Sequence, residues 1–161
     1  MKLSYNLMPP SFSEMRAVAL ASERAGLHSV AVADSPLISR ELFVSCAEVL
    51  RETKYLNVMT GVTNPLTRHP SVAAAAIAAL CEMAPGRVVV GIATGDSAAW
   101  GAGLRPAKVS MLRDYITALK QLLRGATARW QGQEFRLNWE RYDPEVAPPI
   151  YVACSGPRVL R

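Results

Sequence analysis

Short apolar runs alternate along the chain with longer segments whose apolar residues recur every three or four positions. The pattern therefore switches repeatedly between the two-residue period of a strand and the 3.6-residue period of a helix. Residues 3–7 are a short strand candidate. Ser11-Phe-Ser-Glu14 then reads as a capping box, in which the Ser side chain accepts from the backbone of the first turn, and it opens a helix. Met15, Val18, Ala19 and Ala25 form that helix's apolar stripe, and Gly26 ends it. Residues 30–33 are a second strand, and residues 41–53 a second helix with Leu42, Phe43, Cys46, Val49 and Leu50 on one side. Residues 56–60 form the third strand, followed by a long polar turn from Gly61 to His69. Pro70 suits the first turn of a helix, where its missing N–H costs nothing. That helix runs to Met83, and Pro85-Gly86 stops it.

Residues 87–92 are nearly continuously apolar, the mark of a strand buried on both faces. A Gly-rich loop over 93–106 leads to a helix over 109–124, striped by Met111, Leu112, Tyr115, Ile116, Leu119 and Leu122. The alternation breaks once, at 128–137, where Gln131-Gly132 predicts the turn of a β-ribbon. Pro148-Pro149 precedes a fifth apolar strand over 150–154, and Arg158 opens a further helix. Alternating strands and helices imply an α/β fold with parallel strands covered by helices. In such a sheet the ligand sits at the carboxyl ends of the strands. Asn6, Asp34-Ser35, Gly61 with Thr63-Asn64, Gly95-Asp96-Ser97 and Ser155-Gly156 stand there after the five strands in turn. Any one such loop is what turns ordinarily contain. Five of them on one rim point to a ligand that the backbone approaches closely.

Composition changes this picture little. The 161 residues carry a formal charge of +5 and are half apolar, an ordinary globular mixture. The basic residues are scattered, with no basic tract and no aromatic interleaving, which argues against nucleic acid as partner. No run is long enough to span a bilayer, and residues 1–7 lack the apolar core of a leader, so no membrane role is expected. Cys46, Cys81 and Cys154 are an odd set outside any C-x-x-C pair; they read as buried small hydrophobes in a reducing cytoplasm. No metal-ligand spacing is present. A dinucleotide-binding fold would need G-x-G-x-x-G after the first strand. The turn there is Asn6-Leu-Met-Pro-Pro, and Gly91-x-x-x-Gly95 has the wrong spacing.

Thr60-Gly-Val-Thr-Asn-Pro-Leu-Thr-Arg-His-Pro70 resembles the third-strand signature of the luciferase-like oxidoreductases, in particular the deazaflavin-using branch similar to methylenetetrahydromethanopterin reductase. Glu23 to Asp34, Pro85 to Ser97 with Gly103-Leu-Arg-Pro106, and Ile150 to Pro157 agree in order and spacing. The resemblance implies a partial TIM (β/α)8 barrel: about the first five strands and four helices, with the ribbon inserted before strand five. Residues 1–161 would be the N-terminal part of one domain, since a full barrel takes about 250 residues.

It further implies a non-proline cis peptide at Gly61-Val62 backing a flavin-like ring. Thr63, Asn64, Gly95, Asp96, Ser97, Ser155 and Gly156 would line the cofactor, with Asn6 and Ser35 facing a small-molecule substrate. Asp34 would stand near the reacting face, orienting substrate or a proton donor, or else capping the next turn. Many relatives carry His directly after that Asp. Ser35 stands there instead, so no acid–base role transfers to this position, and His69, before Pro70 at a helix start, reads as structural.

The implied activity is hydride transfer between coenzyme F-420, a deazaflavin, and a small organic substrate. An FMN-dependent monooxygenase is the alternative. A third reading is a half-barrel without activity of its own. Its two unpaired edges favour a homo-oligomer or association with a missing C-terminal half.

Overall fold

The computed structural model describes residues 2–8, 11–140, 142–154 and 156. Five parallel strands form one sheet: β1 (Ser4–Leu7), β2 (Ser29–Val32), β3 (Asn57–Thr63), β4 (Val88–Ile92) and β7 (Ile150–Val152), with β5 and β6 in the ribbon described below. They lie side by side in chain order. Between them run α1 (Phe12–Arg24), α2 (Leu42–Glu52), α3 (Pro70–Met83), α4 (Ser97–Gly101) and α5 (Val109–Leu123). Each larger helix packs on the next: α1 on α2, α2 on α3, α3 on α5. This is the layering of a partial (β/α)8 barrel.

The elements form where local chemistry asks for them. Ser11 caps α1 by accepting from Glu14 N at 3.2 Å, as the capping box predicts. Glu41 caps α2 through Val44 N at 2.8 Å. Pro70 opens α3, capped by His69, whose ring also lies 5.0 Å from that of Phe135. The core is the sheet's helix-facing side: Val30, Val32, Val58, Val90 and Ile92 with Met15, Cys46, Val49, Ile77 and Leu119, all essentially inaccessible. A ribbon of β5 (Ala128–Trp130) and β6 (Gln133–Phe135) stands apart from the main sheet and packs on α5. The Trp130 ring meets Tyr115 edge-on at 5.4 Å.

Several expectations change. The third strand does not stop at Thr60 but continues through Gly61 and Val62 to Thr63, because β4 pairs with it on both sides of an irregularity. The loop 93–106 contains α4. Ala25 lies exposed beyond the α1 stripe, and Ser22 is buried in its place. Cys154 is exposed rather than buried, since β7 is an outer strand of the sheet and ends before it. The helix expected from Arg158 lies outside the described residues. Among the described residues no helix is long and apolar enough to cross a membrane.

Candidate active site

One cavity of about 480 Å³ opens at the carboxyl ends of the strands. Asn6, Asp34, Ser35, Gly61, Val62, Asn64, Gly95, Asp96 and Ser97 all line it. Residues from β1 to β4 thus converge although they span most of the chain. Two residues depart from expectation. Thr63 turns its hydroxyl away from the cavity to Asp34, and Gly156 is half-buried outside the lining. Ser155 lies outside the described residues.

The wall of the cavity is built by β3. Pairing with β4 shifts register between Thr60 and Thr63, and the Gly61-Val62 peptide is cis. The Thr60 hydroxyl bridges the interruption: it donates to Gly91 O at 2.7 Å and accepts from Gly91 N at 2.9 Å. Two glycines make the fit possible. A Cβ on Gly91 would lie 2.3 Å from Thr60 O, and one on Gly61 would lie 2.6 Å from Ala31 Cβ. Glycine at both positions lets β2, β3 and β4 pack this closely, and Gly61 lines the cavity without a side chain.

Asp34 is held from behind. Thr63 Oγ1 and Arg68 Nη1 both donate to its Oδ2 at 2.7 Å. Its side chain is 1% exposed, yet the residue lines the cavity. Arg68 is held in turn: Nη2 donates to Glu41 Oε1 at 2.8 Å, and the guanidinium carbon lies 5.1 Å from the Phe43 ring centre. Tyr115 donates to the Arg68 carbonyl at 3.1 Å. Burial works against the Arg68 charge, but hydrogen bonds and attraction from Asp34 and Glu41 outweigh it and raise its pKa. The sequence offers no signal for Arg68. An arginine in a polar turn looks solvated, and its partner lies 34 residues away.

Asn64 is the other anchored group. Its Oδ1 accepts from Leu66 N at 3.0 Å, Thr67 N at 3.1 Å and Thr67 Oγ1 at 3.3 Å. Its Nδ2 is buried without a partner. Ser45 Oγ on α2 is the one other such atom among the described residues, and Ser45 does not line the cavity. A buried amide without an acceptor costs about 1–3 kcal/mol, so a ligand acceptor fits at Asn64. Gly95, at φ +87°, brings the next loop against Asn64.

Across the cavity the Ser35 and Ser97 hydroxyls lie 2.7 Å apart, and Asp96 caps α4 through Ser97 N. Among the described lining residues there is no Lys, Arg or His; Asp34 and Asp96 supply the formal charge. Among the described residues no group of three or more His, Cys, Asp or Glu is placed to hold a metal ion.

A site of this kind, bare backbone on one side and fixed polar edges around it, suits a planar ring. The model of the luciferase-like monooxygenase family matches residues 2–161. The F420-dependent hydroxymycolic acid dehydrogenase of Mycobacterium tuberculosis is 34% identical over 155 residues, covering 87% of this chain and 43% of its own length. The F420-dependent glucose-6-phosphate dehydrogenase of Gordonia bronchialis is 30% identical over 180 residues, covering 100% and 53%. Among solved structures, the coenzyme F420 dependent tetrahydromethanopterin reductase of Methanopyrus kandleri superposes with a TM-score of 0.86 at 20% identity. The match covers 99% of this chain and 52% of that one, and supports the fold. The chain spans about half the length of the curated relatives it matches.

Proposed function

Because the chain belongs to the luciferase-like monooxygenase family, we propose that the complete protein transfers hydride between coenzyme F-420 and a small organic substrate. The observation that carries this reading is the unpartnered Asn64 amide beside the bare Gly61-Val62 backbone. The first asks for an acceptor on a ligand's edge, and the second leaves room for a flat ring face. A cavity of about 480 Å³ falls within the range of roughly 300–1,000 Å³ usual for small-molecule sites.

When bound, the deazaflavin supplies hydride chemistry at a single ring carbon; the protein supplies position and exclusion of water. Asn64 Nδ2 would donate to the ring edge. Gly61 and Val62 would back the ring, and Gly95 lets the fourth loop close over Asn64. Asp34, fixed by Thr63 and Arg68 through Oδ2, leaves Oδ1 without a bonded partner among the described residues. Its role is to orient a donor on the cofactor or substrate. Asp96 and Ser97 would line the cofactor beside Gly95, with Asn6 and Ser35 toward the substrate. FMN is the competing cofactor, since the family is that of luciferase-like monooxygenases; a nitrogen in place of that carbon would favour oxygen chemistry.

The remaining strands of the barrel would pair with the free edges of β1 and β7, each of which has one neighbour here. We assign the protein to the cytoplasm, a reducing compartment that suits the buried free thiols Cys46 and Cys81. The test is titration of the protein, expressed from its full reading frame, with F-420 and with FMN. A perturbed visible spectrum with F-420 and not FMN is expected. Perturbation by FMN alone supports the monooxygenase, and none with either overturns both readings.

A further inference from the structure

The turn between β3 and α3 is tied down at both ends. At its start Asn64 Oδ1 accepts from Leu66 N and Thr67 N, which fixes the plane of the carboxamide and so the direction of its open Nδ2. At its end Arg68 O stands just ahead of the α3 cap. The first amides of α3, those of Val72 and Ala73, donate to His69 O instead, so the helix ladder leaves Arg68 O out. The Tyr115 hydroxyl takes that place and donates to Arg68 O at 3.1 Å from 47 residues away in sequence. Thr67 thus lies between two anchors: its own N–H is on Asn64, and the carbonyl of the next residue is on Tyr115. A shift of that carbonyl reaches the Asn64 amide through two hydrogen bonds.

Tyr115 is itself immobile. It is fully buried on α5, and its ring meets Trp130 of the ribbon edge-on at 5.4 Å. Phe135 of the same ribbon lies 5.0 Å from the His69 ring, so the ribbon braces two consecutive residues of the turn, Arg68 through Tyr115 and His69 directly. Burial pushes the Tyr115 phenol up, against the pull of the Arg68 charge, and the hydroxyl remains a donor. None of Tyr115, Trp130 and Phe135 lines the cavity. Packing at a fully buried ring position asks only for Phe, because a buried hydroxyl costs free energy unless it is bonded. Here the hydroxyl is spent on one acceptor, and that acceptor belongs to the turn that presents Asn64.

We propose that Tyr115 is a positioning residue of the site: by holding the Arg68 carbonyl against the ribbon-braced helix, it sets the turn that aims the Asn64 amide into the cavity. The proposal rests on the coenzyme reading above for what that amide meets.

The test uses the protein from its full reading frame and reads Kd by visible titration with F-420 and with FMN. If neither perturbs the wild-type spectrum, the coenzyme reading falls and this one with it. With whichever coenzyme binds, Tyr115→Phe, which keeps the ring against Trp130 and removes only the hydroxyl, should raise Kd roughly threefold to tenfold and alter the visible band of the bound form. Leu122→Val alters a buried residue of the same helix that does not line the cavity. It should lower the urea midpoint comparably and leave Kd within about twofold of wild type. Asn64→Ser removes the amide donor and should raise Kd roughly tenfold. Adding Tyr115→Phe to it should cost no more than about twofold further, since no donor is left to aim. A wild-type Kd in Tyr115→Phe, an equal loss in Leu122→Val, or full additivity of Tyr115→Phe with Asn64→Ser overturns the positioning role while leaving the coenzyme reading intact.

Discussion

The two ends of the parallel sheet treat their polar groups in opposite ways. At the amino ends, Arg87 at the start of β4 donates to Leu56 O, Thr53 O, Thr53 Oγ1 and Leu50 O. Glu23 Oε1 accepts from the backbone of Lys54, Tyr55 and Leu56 at 2.6–3.0 Å. Ser4 and Ser29 pair at 2.6 Å. Charge and backbone satisfy one another within the protein. At the carboxyl ends Asp34 and Asn64 are just as firmly held but also line the cavity: Asp34 bonds through Oδ2 alone and Asn64 through its carbonyl alone, its amide buried without a partner. The difference separates a closure that stabilises from the rim at which we propose that the coenzyme binds.

The largest expected effect tests whether the binding rim also carries stability. Arg68→Ala leaves the Asp34 carboxylate buried without its cation and should destabilise the protein by about 3–5 kcal/mol, measured by urea unfolding. A loss below roughly 1 kcal/mol would show the pair to be solvated. At the opposite end, Arg87→Ala strands carbonyls at Leu56 and Thr53 and should cost about 2–3 kcal/mol. Coenzyme affinity of the folded protein should not move; a change beyond about twofold would break the division between the two ends. Asn64→Asp sharpens the division from the other side. It keeps the acceptor that holds the Leu66–Thr67 turn and removes the free donor. Coenzyme affinity should fall roughly tenfold, and the unfolding midpoint should fall as well, because the new carboxylate oxygen is buried without a partner.

Thiol chemistry gives a smaller readout of the same asymmetry. Burial pushes the Cys81 thiol up to about 11 and raises that of Cys46 further, so neither should alkylate in the folded protein. Cys154 is exposed at the cavity and should take up iodoacetamide alone, more slowly when coenzyme is bound. Labelling of Cys154 at an unchanged rate would place the coenzyme elsewhere. The smallest effect is a pH dependence at the amino end. The backbone N–H of Tyr55, with those of Leu56 and Lys54 and the Arg87 charge, lowers the Glu23 pKa below its ordinary 4.5 against the effect of burial. Its contribution to stability is therefore complete above about pH 4.5 and is lost as pH falls through the lowered folded value. Urea midpoints of wild type and Glu23→Gln should differ at pH 6 and converge below that value.

Features written in neighbouring residues were legible in the sequence: the Ser11 cap, Pro70 at the start of α3, the Gln131-Gly132 ribbon turn and the apolar β4. So was the gathering of polar loop residues on one rim, because parallel strands joined by helices all point the same way. The extension of β3 to Thr63 was not, since polar residues there are paired by β4, a partner that no local pattern announces. α4 was hidden for a similar reason. A five-residue helix has too few turns for a periodic stripe, and it is held by Asp96 and its packing near Leu37.

The order of strands and helices, and the end at which chemistry would sit, were thus determined by the sequence alone, through periods and caps that act over a few residues. Which oxygen of Asp34 is occupied, that Arg68 holds it, that Thr63 turns inward and that the Asn64 amide is left open were decided only by tertiary structure. These are contacts between groups some thirty residues apart, or absences of contact, and both exist only once the strands lie side by side.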